Sequence, residues 1–478
     1  MTSKYIISTY IHSKLVTIVL NFRNKDKKMV GFHGFLGKTI MIIDVDLLKQ
    51  IVIKDIDYFL NKPIFDLGNK YLNALLPQIE GEKWRQARHA STPVFTSGKL
   101  KKMSKLMKKV CDDLIAHVDK LASTGEEVDA KQMSMKFTVT VIANAGFGID
   151  ANVLDGSPRG AQFYKMARII TGAEQTRWDI MKIIIGLMLP KSVKKAVGIE
   201  LINTSGVNFF NDIINQRLNM TSAQSSKRND MVGLFTETMR GQDEEEIKQE
   251  TEKDLEGSNL IQPNKLTNEE MDTIMRGNLF AMFLAGMEFP AVMMSGCLYF
   301  LAKNPDVQER LLEEIQESNL DEVLEYNTIM NLPYLDMVVQ ETMRHTSPAD
   351  GNWQCSKDYK VPGTNITIPK GMNITLSANG ICMDERYFPN PTKFDPEHYN
   401  SKNKESRSSA TNVVFSIGPR KCIGYRFALL QLKTGIATMV KNFRILPTPR
   451  LPEKYDFDPK SRAMDIEGGI WLKFEKRE

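Results

Sequence analysis

Cysteine and histidine are scarce in this sequence, and their spacing argues against several kinds of site. The 478 residues include five cysteines and six histidines. The cysteines are far apart, odd in number and without a C-x-x-C pair, which argues against a disulfide framework and a zinc site and favours a reducing compartment. No H-x-x-x-H or H-E-x-x-H pattern occurs, so a histidine-based metal site has little support.

Patterns typical of nucleotide and nucleic-acid binding are also missing. The sequence has no G-x-G-x-x-G or Walker A motif and no strand–helix–strand rhythm. The net charge of +5 is small for this length and does not predict nucleic-acid binding. We therefore expect no nucleic-acid partner, although a local basic face stays open as an alternative.

A long uninterrupted hydrophobic run is absent from the N-terminus. Tyr5–Phe22 is fairly apolar, but His12 and Lys14 interrupt it, and a spanning helix needs about 20 apolar residues without central charges. We expect residues 1–28 to form an atypical N-terminal segment that is a weak membrane anchor at best. An ordinary amphipathic start is the alternative. Residues 29–478 are expected to form a single domain.

What the sequence does contain is enough hydrophobic residues, 42%, to bury a large core. Val30–His33 and Thr39–Ile43 are short β-rich runs separated by glycines, which predicts a hairpin. Asp44 or Asp46 can cap the helix that follows. Val361–Thr375 alternates β-branched residues with proline and glycine, which predicts further short strands.

Helical periodicity dominates the rest of the chain. Helices are predicted over Met107–Leu121, Ala130–Ala145, Asn268 to about Lys303, Val307–Glu317 and Tyr334–His345. The pair Asn304-Pro305 is a typical end of one helix and start of the next. The fold class predicted from these patterns is mainly α with a minor β-sheet.

One loop carries the clearest chemical signal. It is punctuated by Gly418 and Gly424, places Arg420 two residues before Cys422, and is followed by the apolar, helix-compatible run Phe427–Met439. The thiolate of a cysteine near a helix N-terminus is favoured by the helix dipole, and glycine lets the backbone approach closely. A buried structural cysteine is the alternative, but the surrounding pattern favours a reactive one.

The loop resembles the haem loop of cytochromes P450, since F-x-x-G-x-R-x-C-x-G matches at every defined position from Phe415 to Gly424. The resemblance implies a mainly α fold in which haem b (iron protoporphyrin IX) lies between the I helix and this loop. It implies that Cys422 is the thiolate ligand of the iron, and that Phe415, Gly418, Arg420 and Gly424 help to bind the cofactor. Thiolate ligation pushes electron density onto a haem iron and favours O–O cleavage.

Two further segments resemble the family's K helix and its P-E-R-F segment. Glu341-Thr-Met-Arg344 resembles the E-x-x-R pair, whose members face one another at i and i+3. Phe394–Tyr399 resembles P-E-R-F, but His398 stands where the usual arginine belongs. The third member of the family's structural Glu–Arg–Arg network is therefore in doubt.

The segment Gly81–Arg88 resembles the family's C helix. Trp84 and Arg88 are four residues apart and share a helix face, and the resemblance implies that this pair reaches a haem propionate. An arginine offers a planar fork of donors suited to a carboxylate. A surface arginine beside a half-buried tryptophan is the alternative.

The family's I-helix motif, A-G-x-[DE]-T, is only partly present. Ala285, Gly286 and Glu288 match it, but Phe289 stands where the threonine belongs, and Pro290 follows. The resemblance implies that Glu288 helps to relay protons towards the haem, whereas a phenyl ring cannot donate or order a water. Pro290 removes a backbone N–H and is expected to kink the helix, which costs about 3 kcal/mol or more in a regular helix.

A second departure from the family follows the K helix. The family usually places an arginine about ten residues after the E-x-x-R arginine, where it holds the second propionate. That neighbourhood contains Trp353 and Gln354. Neither is cationic, although either side chain could donate one hydrogen bond.

Three functions remain open. The first is a monooxygenase that uses O2 and electrons from a reductase and relies on Glu288 and a water for protons. The second is a haem-thiolate isomerase or dehydratase acting on peroxides, because Phe289 replaces the threonine. The third is a non-catalytic haem-binding relative.

Partners and location follow from a finer resemblance. Thr92–Met103 and Lys357–Thr364 resemble insect microsomal members of families six and nine, which implies lipophilic substrates, NADPH-cytochrome P450 reductase as electron donor and the cytosolic face of the endoplasmic reticulum membrane. Met181–Leu189 is very apolar and fits either a membrane-surface patch or a buried helix. A basic face for the reductase could come from Lys83, Arg85, His89, Lys99, Lys101, Lys102 and Lys421. The substrate pocket is expected to be lined by the Phe59–Pro77 region, the Met166–Leu189 region, Phe283–Phe289 and the residues after Thr346.

Overall fold

The computed structural model describes residues 27–34, 37–64, 66–171, 204–219, 230–239, 266–318, 325–346, 350–458 and 465–478, with the isolated positions 181 and 193. The N-terminal run Tyr5–Phe22 lies outside the described residues, and so does almost all of Met181–Leu189. The described chain is mainly helical with small sheets, so the predicted fold class is confirmed.

The described α-helices are α1 (Val45–Lys49), α2 (Lys70–Asn73), α3 (Gly81–Ser91), α4 (Ser97–Thr124), α5 (Ala130–Val141), α6 (Pro158–Thr171), α7 (Thr204–Leu218), α8 (Met231–Met239), α9 (Asn268–Lys303), α10 (Pro305–Glu317), α11 (Tyr326–Asn331), α12 (Pro333–His345), α13 (Ala378–Cys382), α14 (Ser401–Glu405) and α15 (Tyr425–Asn442). Two π-helical turns, Gln50–Lys54 and Ile142–Gly146, continue α1 and α5. Short 3₁₀ turns cover Ile56–Tyr58, Leu76–Gln78, Thr92–Phe95, Pro396–Tyr399 and Ser409–Thr411.

The described strands are β1 (Met29–Gly34), β2 (Gly37–Ile42), β3 (Val128–Asp129), β4 (Gly351–Gln354), β5 (Tyr359–Lys360), β6 (Thr367–Ile368), β7 (Asn373–Leu376), β8 (Phe443–Pro447) and β9 (Trp471–Lys476). They form a four-stranded sheet in the order β1-β2-β7-β4, a three-stranded sheet β3-β9-β8 and the pair β5-β6. β1 and β2 pair antiparallel, which confirms the predicted hairpin, and β2 runs parallel to β7. Asp44, not Asp46, caps α1 by accepting a hydrogen bond from the N–H of Leu47.

The long helix α9 forms the spine of the fold. It begins after a capping box in which Thr267 and Glu270 satisfy each other's backbone N–H groups, and it ends at Asn304, as its flanking residues predict. The helix continues through Pro290. Among the described helices, α9 is the one whose length and apolar composition would allow it to span a membrane. Two thirds of its most apolar stretch is buried inside the protein, as in a core helix.

The prediction for α4 was too short. Periodicity indicated Met107–Leu121, whereas the helix already begins at Ser97. Its first turns alternate lysines with the buried residues Leu100 and Met103. Because lysines occupy positions 99, 101 and 102, hydrophobic periodicity alone does not reveal the apolar stripe in this part of the helix.

Two hydrophobic clusters meet beside the cysteine loop. The larger one packs α9 against α5, α12 and α15, and includes Phe427 and Leu430. The smaller one packs the four-stranded sheet against α1 and includes Val52 and Ile417. The loop at 415–424 therefore joins the two parts of the core, with Ile417 on one side and α15 on the other.

Candidate haem-thiolate site

The cysteine loop is closed by two backbone hydrogen bonds. The N–H of Cys422 donates to the carbonyl of Phe415 at 2.9 Å, and the N–H of Lys421 donates to that of Gly418 at 2.9 Å. Gly418 has a φ of +72°, and a Cβ placed there would lie 2.2 Å from the carbonyl oxygen of Val52. Only glycine fits such a position, so this residue lets the loop pack directly on the π turn at 50–54.

Cys422 differs from the other cysteines in its accessibility. Its side chain is exposed, while Cys111, Cys297, Cys355 and Cys382 are buried. Partial enclosure by protein raises the pKa of the Cys422 thiol, against the opposing effects of the Gly424 N–H and of nearby cations. The residue lies three positions before α15, where helix N–H groups favour an anion. Among the described cysteines, Cys422 is the one whose thiol is accessible to a metal ion from outside the fold.

Cations gather around this thiol. Arg88, Lys421 and Lys62 each act electrostatically on Cys422. Burial, followed by the charge of Arg420, lowers the pKa of Lys62 to about 8. Burial, followed by the charge of Arg88, likewise lowers the pKa of Arg420 to about 9. Concentrated positive charge beside an exposed sulfur fits a cofactor that has an iron and two carboxylates.

Arg420 ties the cysteine loop to the segment before α3. Its guanidinium donates to the carbonyls of Leu60 (2.7 Å), Leu76 (3.2 Å) and Ile79 (2.9 Å), and it stacks 4.0 Å from the ring centroid of Trp84. The structure therefore shows that Arg420 connects the cysteine loop to the segment before α3. Its contact with the cofactor stays a prediction.

Trp84 and Arg88 share the buried face of α3, as their spacing predicted. The tryptophan is 1% exposed and lies beneath Arg420. Lys62, which sequence reasoning missed, joins the same cluster of cations from a segment without a motif. Its neighbours hold it in place: Leu60 accepts from Arg420, and Asn61 forms a bridge with Gln354.

The neighbourhood in which the family has its second arginine contains a fully buried tryptophan. Trp353 is 0% exposed and lies in the smaller cluster with Val52 and Ile417. Its Nε1 is buried and has no hydrogen-bond partner among the described residues. Gln354 points to the other face of β4, where its Nε2 lies 3.3 Å from Oδ1 of Asn373. An unsatisfied indole N–H in the cluster that also contains Ile417 of the cysteine loop is a donor that fits a carboxylate ligand.

The I-helix residues separate onto two faces of α9. Ala285 and Phe289, one turn apart, are exposed, with Phe289 at 37%. Glu288 is buried instead and pairs with Lys131 of α5, with 2.9 Å between Nζ and Oε1. Burial raises the pKa of Glu288, and Lys131 opposes that effect. Phe289 therefore lies at the position of the family's threonine, on the exposed face of α9 that carries Ala285 and Phe289 and is called the open face below. The carboxylate of Glu288 is held against α5.

Phe283, at one end of the expected pocket lining on α9, packs among aromatic rings of neighbouring helices. Phe283 is fully buried, with its ring centroid 3.8 Å from that of Phe210 and 5.7 Å from that of Phe163. This residue ties α9 to α6 and α7, and its place in the lining of a substrate pocket stays a prediction. Helical periodicity marks apolar positions, but it does not separate a core face from a ligand-binding face.

The Glu–Arg pair of α12 is complete and buried. Arg344 donates two hydrogen bonds to Glu341, at 2.8 and 2.7 Å, and further ones to the carbonyls of Cys382, Pro391 and Lys393. The Nδ1 atom of His398 lies 3.1 Å from Oε1 of Glu341. The histidine thus fills the third position of the network that the substitution had put in doubt.

Comparison with known proteins agrees with this geometry. The family model for Cytochrome P450 matches residues 6–469. Cytochrome P450 6B1 of Papilio polyxenes is 32% identical over 461 residues, which is 95% of this chain and 87% of that protein. Probable cytochrome P450 6a14 of Drosophila melanogaster is 31% identical over 458 residues (94% and 86%), and Probable cytochrome P450 9f2 of the same fly is 30% identical over 473 residues (94% and 87%).

The resemblance to insect families six and nine is therefore confirmed. The family's cofactor is haem b, and the exposed thiol, the surrounding cations and the open face of α9 fit that group. The chain belongs to the cytochrome P450 family, and it is a haem monooxygenase.

Proposed function

We propose that this protein inserts one oxygen atom of O2 into a lipophilic small molecule, a xenobiotic or an endogenous lipid, with electrons from NADPH-cytochrome P450 reductase. The observation that carries the proposal is the exposed thiol of Cys422 in a glycine-bounded loop before α15. When bound, the haem would supply the oxygen chemistry, and the protein would supply the ligand, the orientation and a dry pocket.

In this proposal Cys422 would be the thiolate ligand of the iron, and six residues would hold the haem: Trp84, Arg88, Phe415, Gly418, Arg420 and Gly424. Arg88 is supported by its electrostatic effect on Cys422. Trp84 is supported by its place beneath Arg420. Lys62 and the indole N–H of Trp353 are added as candidates for the carboxylate groups, since one is a nearby cation and the other an unsatisfied donor.

The proposed reductase would dock on the side of the cysteine loop. Lys101 and Lys102 are exposed, and Nζ of Lys421, in the loop itself, lies 3.5 Å from the ring centroid of Tyr425. Lys99 is only 7% exposed, so its predicted place on the surface was wrong. Lys83 and Arg85 are engaged with Glu270 and Asp57, which reduces the positive charge that they offer to an acidic partner.

Membrane attachment is part of the proposal. The names of the relatives support an assignment to insect families six and nine, and we propose the cytosolic face of the endoplasmic reticulum membrane as the location. Residues 1–28 are proposed as a weak anchor and residues 29–478 as a single catalytic domain.

A second candidate is favoured by Phe289. A phenyl ring on the open face of α9 removes the hydroxyl that a monooxygenase uses for proton delivery. A haem-thiolate isomerase or dehydratase that acts on peroxides needs neither that hydroxyl nor external electrons. A non-catalytic haem-binding role would also tolerate the phenyl ring.

The test combines spectra and turnover. The reduced, CO-bound protein is expected to show the red-shifted Soret band of thiolate ligation, which Cys422→Ala removes and Cys355→Ala preserves. Cys355 is a matched control because it is buried and its thiol donates to the carbonyl of Lys357 at 3.0 Å. NADPH consumption with purified reductase supports the first candidate, whereas peroxide turnover without reductase supports the second. An unchanged spectrum in Cys422→Ala would contradict the assignment of the ligand.

A further inference from the structure

The carboxylate of Glu288 is held by one buried cation. Lys131 of α5 places Nζ 2.9 Å from Oε1, and the two side chains are only 13% and 9% exposed. The partners are 157 positions apart in sequence, so the pair exists only because α5 packs along α9. Thr138 of α5 also donates to the carbonyl of Met287 at 2.9 Å, which fixes this part of α9 against the same helix.

The second oxygen of Glu288 is in a different state. Oε2 is buried and has no hydrogen-bond partner among the described residues. A buried carboxylate with only one of its oxygens satisfied is poorly compensated. Lys131 is the main group that favours the charged form of this carboxylate against burial, so the charge of Glu288 should respond strongly to any change in that lysine.

Lys131 also has a second carboxylate within reach. Oδ1 of Asp465 lies 3.6 Å from the same Nζ, and the aspartate is 51% exposed. The lysine is thus placed between a buried carboxylate and an exposed one. A small movement of its flexible side chain changes which of the two it neutralises.

The other charged groups around Glu288 are Arg168 of α6 and Asp465 near the C-terminus. Arg168 acts on Glu288 in the same direction as Lys131, and Asp465 acts against both. Burial raises the pKa of the Tyr164 hydroxyl, Arg168 opposes that effect, and Asp129 and Glu288 add to it. Among these groups, and within the described part of the chain, Lys131 is the residue that donates a hydrogen bond to Glu288.

We propose that Lys131 is a positioning residue that sets the charge and direction of Glu288, with Asp465 as its alternative, solvent-facing partner. While Lys131 pairs with Glu288, the carboxylate stays ionised and directed away from the face that carries Ala285 and Phe289. When Lys131 turns to Asp465, Glu288 loses its counter-ion and takes up a proton from solvent water. This inference deepens the proposed monooxygenase function and rests on it, since Glu288 is the one protonatable side chain in the segment Ala285–Pro290.

The test reads the protonation of Glu288 directly. Infrared difference spectra of ¹³C-Glu-labelled holoprotein, recorded without substrate, report the C=O stretch of a protonated carboxyl. Lys131→Met is expected to produce this band at pH 7, and adding Glu288→Gln is expected to remove it. Lys131→Arg should resemble the wild type, and Asp465→Asn should move the appearance of the band to lower pH.

Folding is controlled by the double variant. Lys131→Met leaves a buried carboxylate without its partner, whereas Lys131→Met with Glu288→Gln removes both charges and should regain thermal stability. Lys109→Met serves as the matched control, because Lys109 pairs with Asp150 on the surface and both side chains are about half exposed. It should give no protonated-glutamate band.

Two results would overturn the inference. One is a folded Lys131→Met protein without the band, and the other is a Lys131→Arg protein that shows the same band as Lys131→Met. Neither depends on turnover, so a failure of the monooxygenase proposal would appear separately as absent NADPH-dependent product formation. In an active protein, Lys131→Met should also change the division of electrons between product and hydrogen peroxide, and Lys109→Met should not.

Discussion

The ring of His398 joins Glu341 to the segment that follows α13. Its Nδ1 lies 3.1 Å from Oε1 of Glu341, and its Nε2 lies 2.7 Å from the carbonyl oxygen of Pro389. Both neighbours are acceptors, so both contacts are hydrogen bonds only when each ring nitrogen carries a proton. His398 thus links the carboxylate of Glu341 to the carbonyl of Pro389, at the place where the family has an arginine.

Replacing His398 should lower the stability of the fold without changing the cysteine loop. His398→Leu removes both contacts of the ring, one of them to the buried carboxylate of Glu341, and is expected to lower the free energy of unfolding by about 2–4 kcal/mol. His398→Gln, which keeps one amide donor, should lose less. Urea unfolding measures the difference.

His33→Leu is the matched control for this series, since His33 is exposed on β1. It should change the free energy of unfolding by no more than about 0.5 kcal/mol. Equal losses for His398→Leu and His33→Leu would show that the contact with Glu341 contributes nothing.

The carboxylate of Glu341 gives the network a defined dependence on pH. Burial alone would raise its pKa, but hydrogen bonds from Arg344, His345 and His398 outweigh burial and hold the pKa well below its ordinary value. A carboxylate whose pKa is lower in the folded state than in the unfolded state stabilises the protein fully above the unfolded-state pKa. This stabilisation is lost as the pH falls through the folded-state pKa. Glu341→Gln should therefore cost about 3–5 kcal/mol at neutral pH, and the gap to the wild type should narrow only below about pH 4.5.

Urea unfolding at a series of pH values between 3 and 8 tests this. Glu385→Gln is the control, because Glu385 is exposed and should give a nearly constant, small difference. A gap that already narrows between pH 7 and pH 5 would contradict the depressed pKa of Glu341.

Local signals explain how much of the fold could be predicted from the sequence. The limits of α9 were predictable because a capping Thr267 and the pair Asn304-Pro305 flank it. The hairpin β1-β2 was predictable because glycines interrupt two β-branched runs. The cysteine loop was recognisable because its motif is ten consecutive residues.

Contacts between distant residues account for what sequence reasoning missed. Lys131 meets Glu288 across 157 positions, and the segment of Lys62 meets Arg420 across 360. Nothing in the local pattern of a single lysine tells whether it ends in solvent or beside a buried carboxylate. The ring contacts of Phe283 were not predicted for the same reason, since its partners Phe163 and Phe210 lie on other helices.

Gly418 makes a sharp prediction about the cysteine loop. Alanine there would be strained by the φ of +72°, at about 1–2 kcal/mol, and its Cβ would lie 2.2 Å from the carbonyl oxygen of Val52. Gly418→Ala should therefore lower both the haem content and the free energy of unfolding. Gly371→Ala is the matched control, because Gly371 has a φ of +82° with no atom within 4 Å of the added Cβ. If both variants lost the same amount, strain alone would explain the loss and the contact with Val52 would not matter.

Phe289 offers the last test, on the open face of α9. Because its side chain is 37% exposed, Phe289→Thr should fold normally while it returns a hydroxyl beside the haem site. If the protein is a monooxygenase that lacks this donor, the variant should direct several-fold more of the electrons from NADPH into product and fewer into hydrogen peroxide. Phe289→Ala opens the same space without a hydroxyl and separates the effect of size from that of proton delivery. Equal behaviour of the threonine and alanine variants would mean that Phe289 acts by shape alone, and slower product formation by Phe289→Thr than by the wild type would favour the peroxide-rearranging alternative.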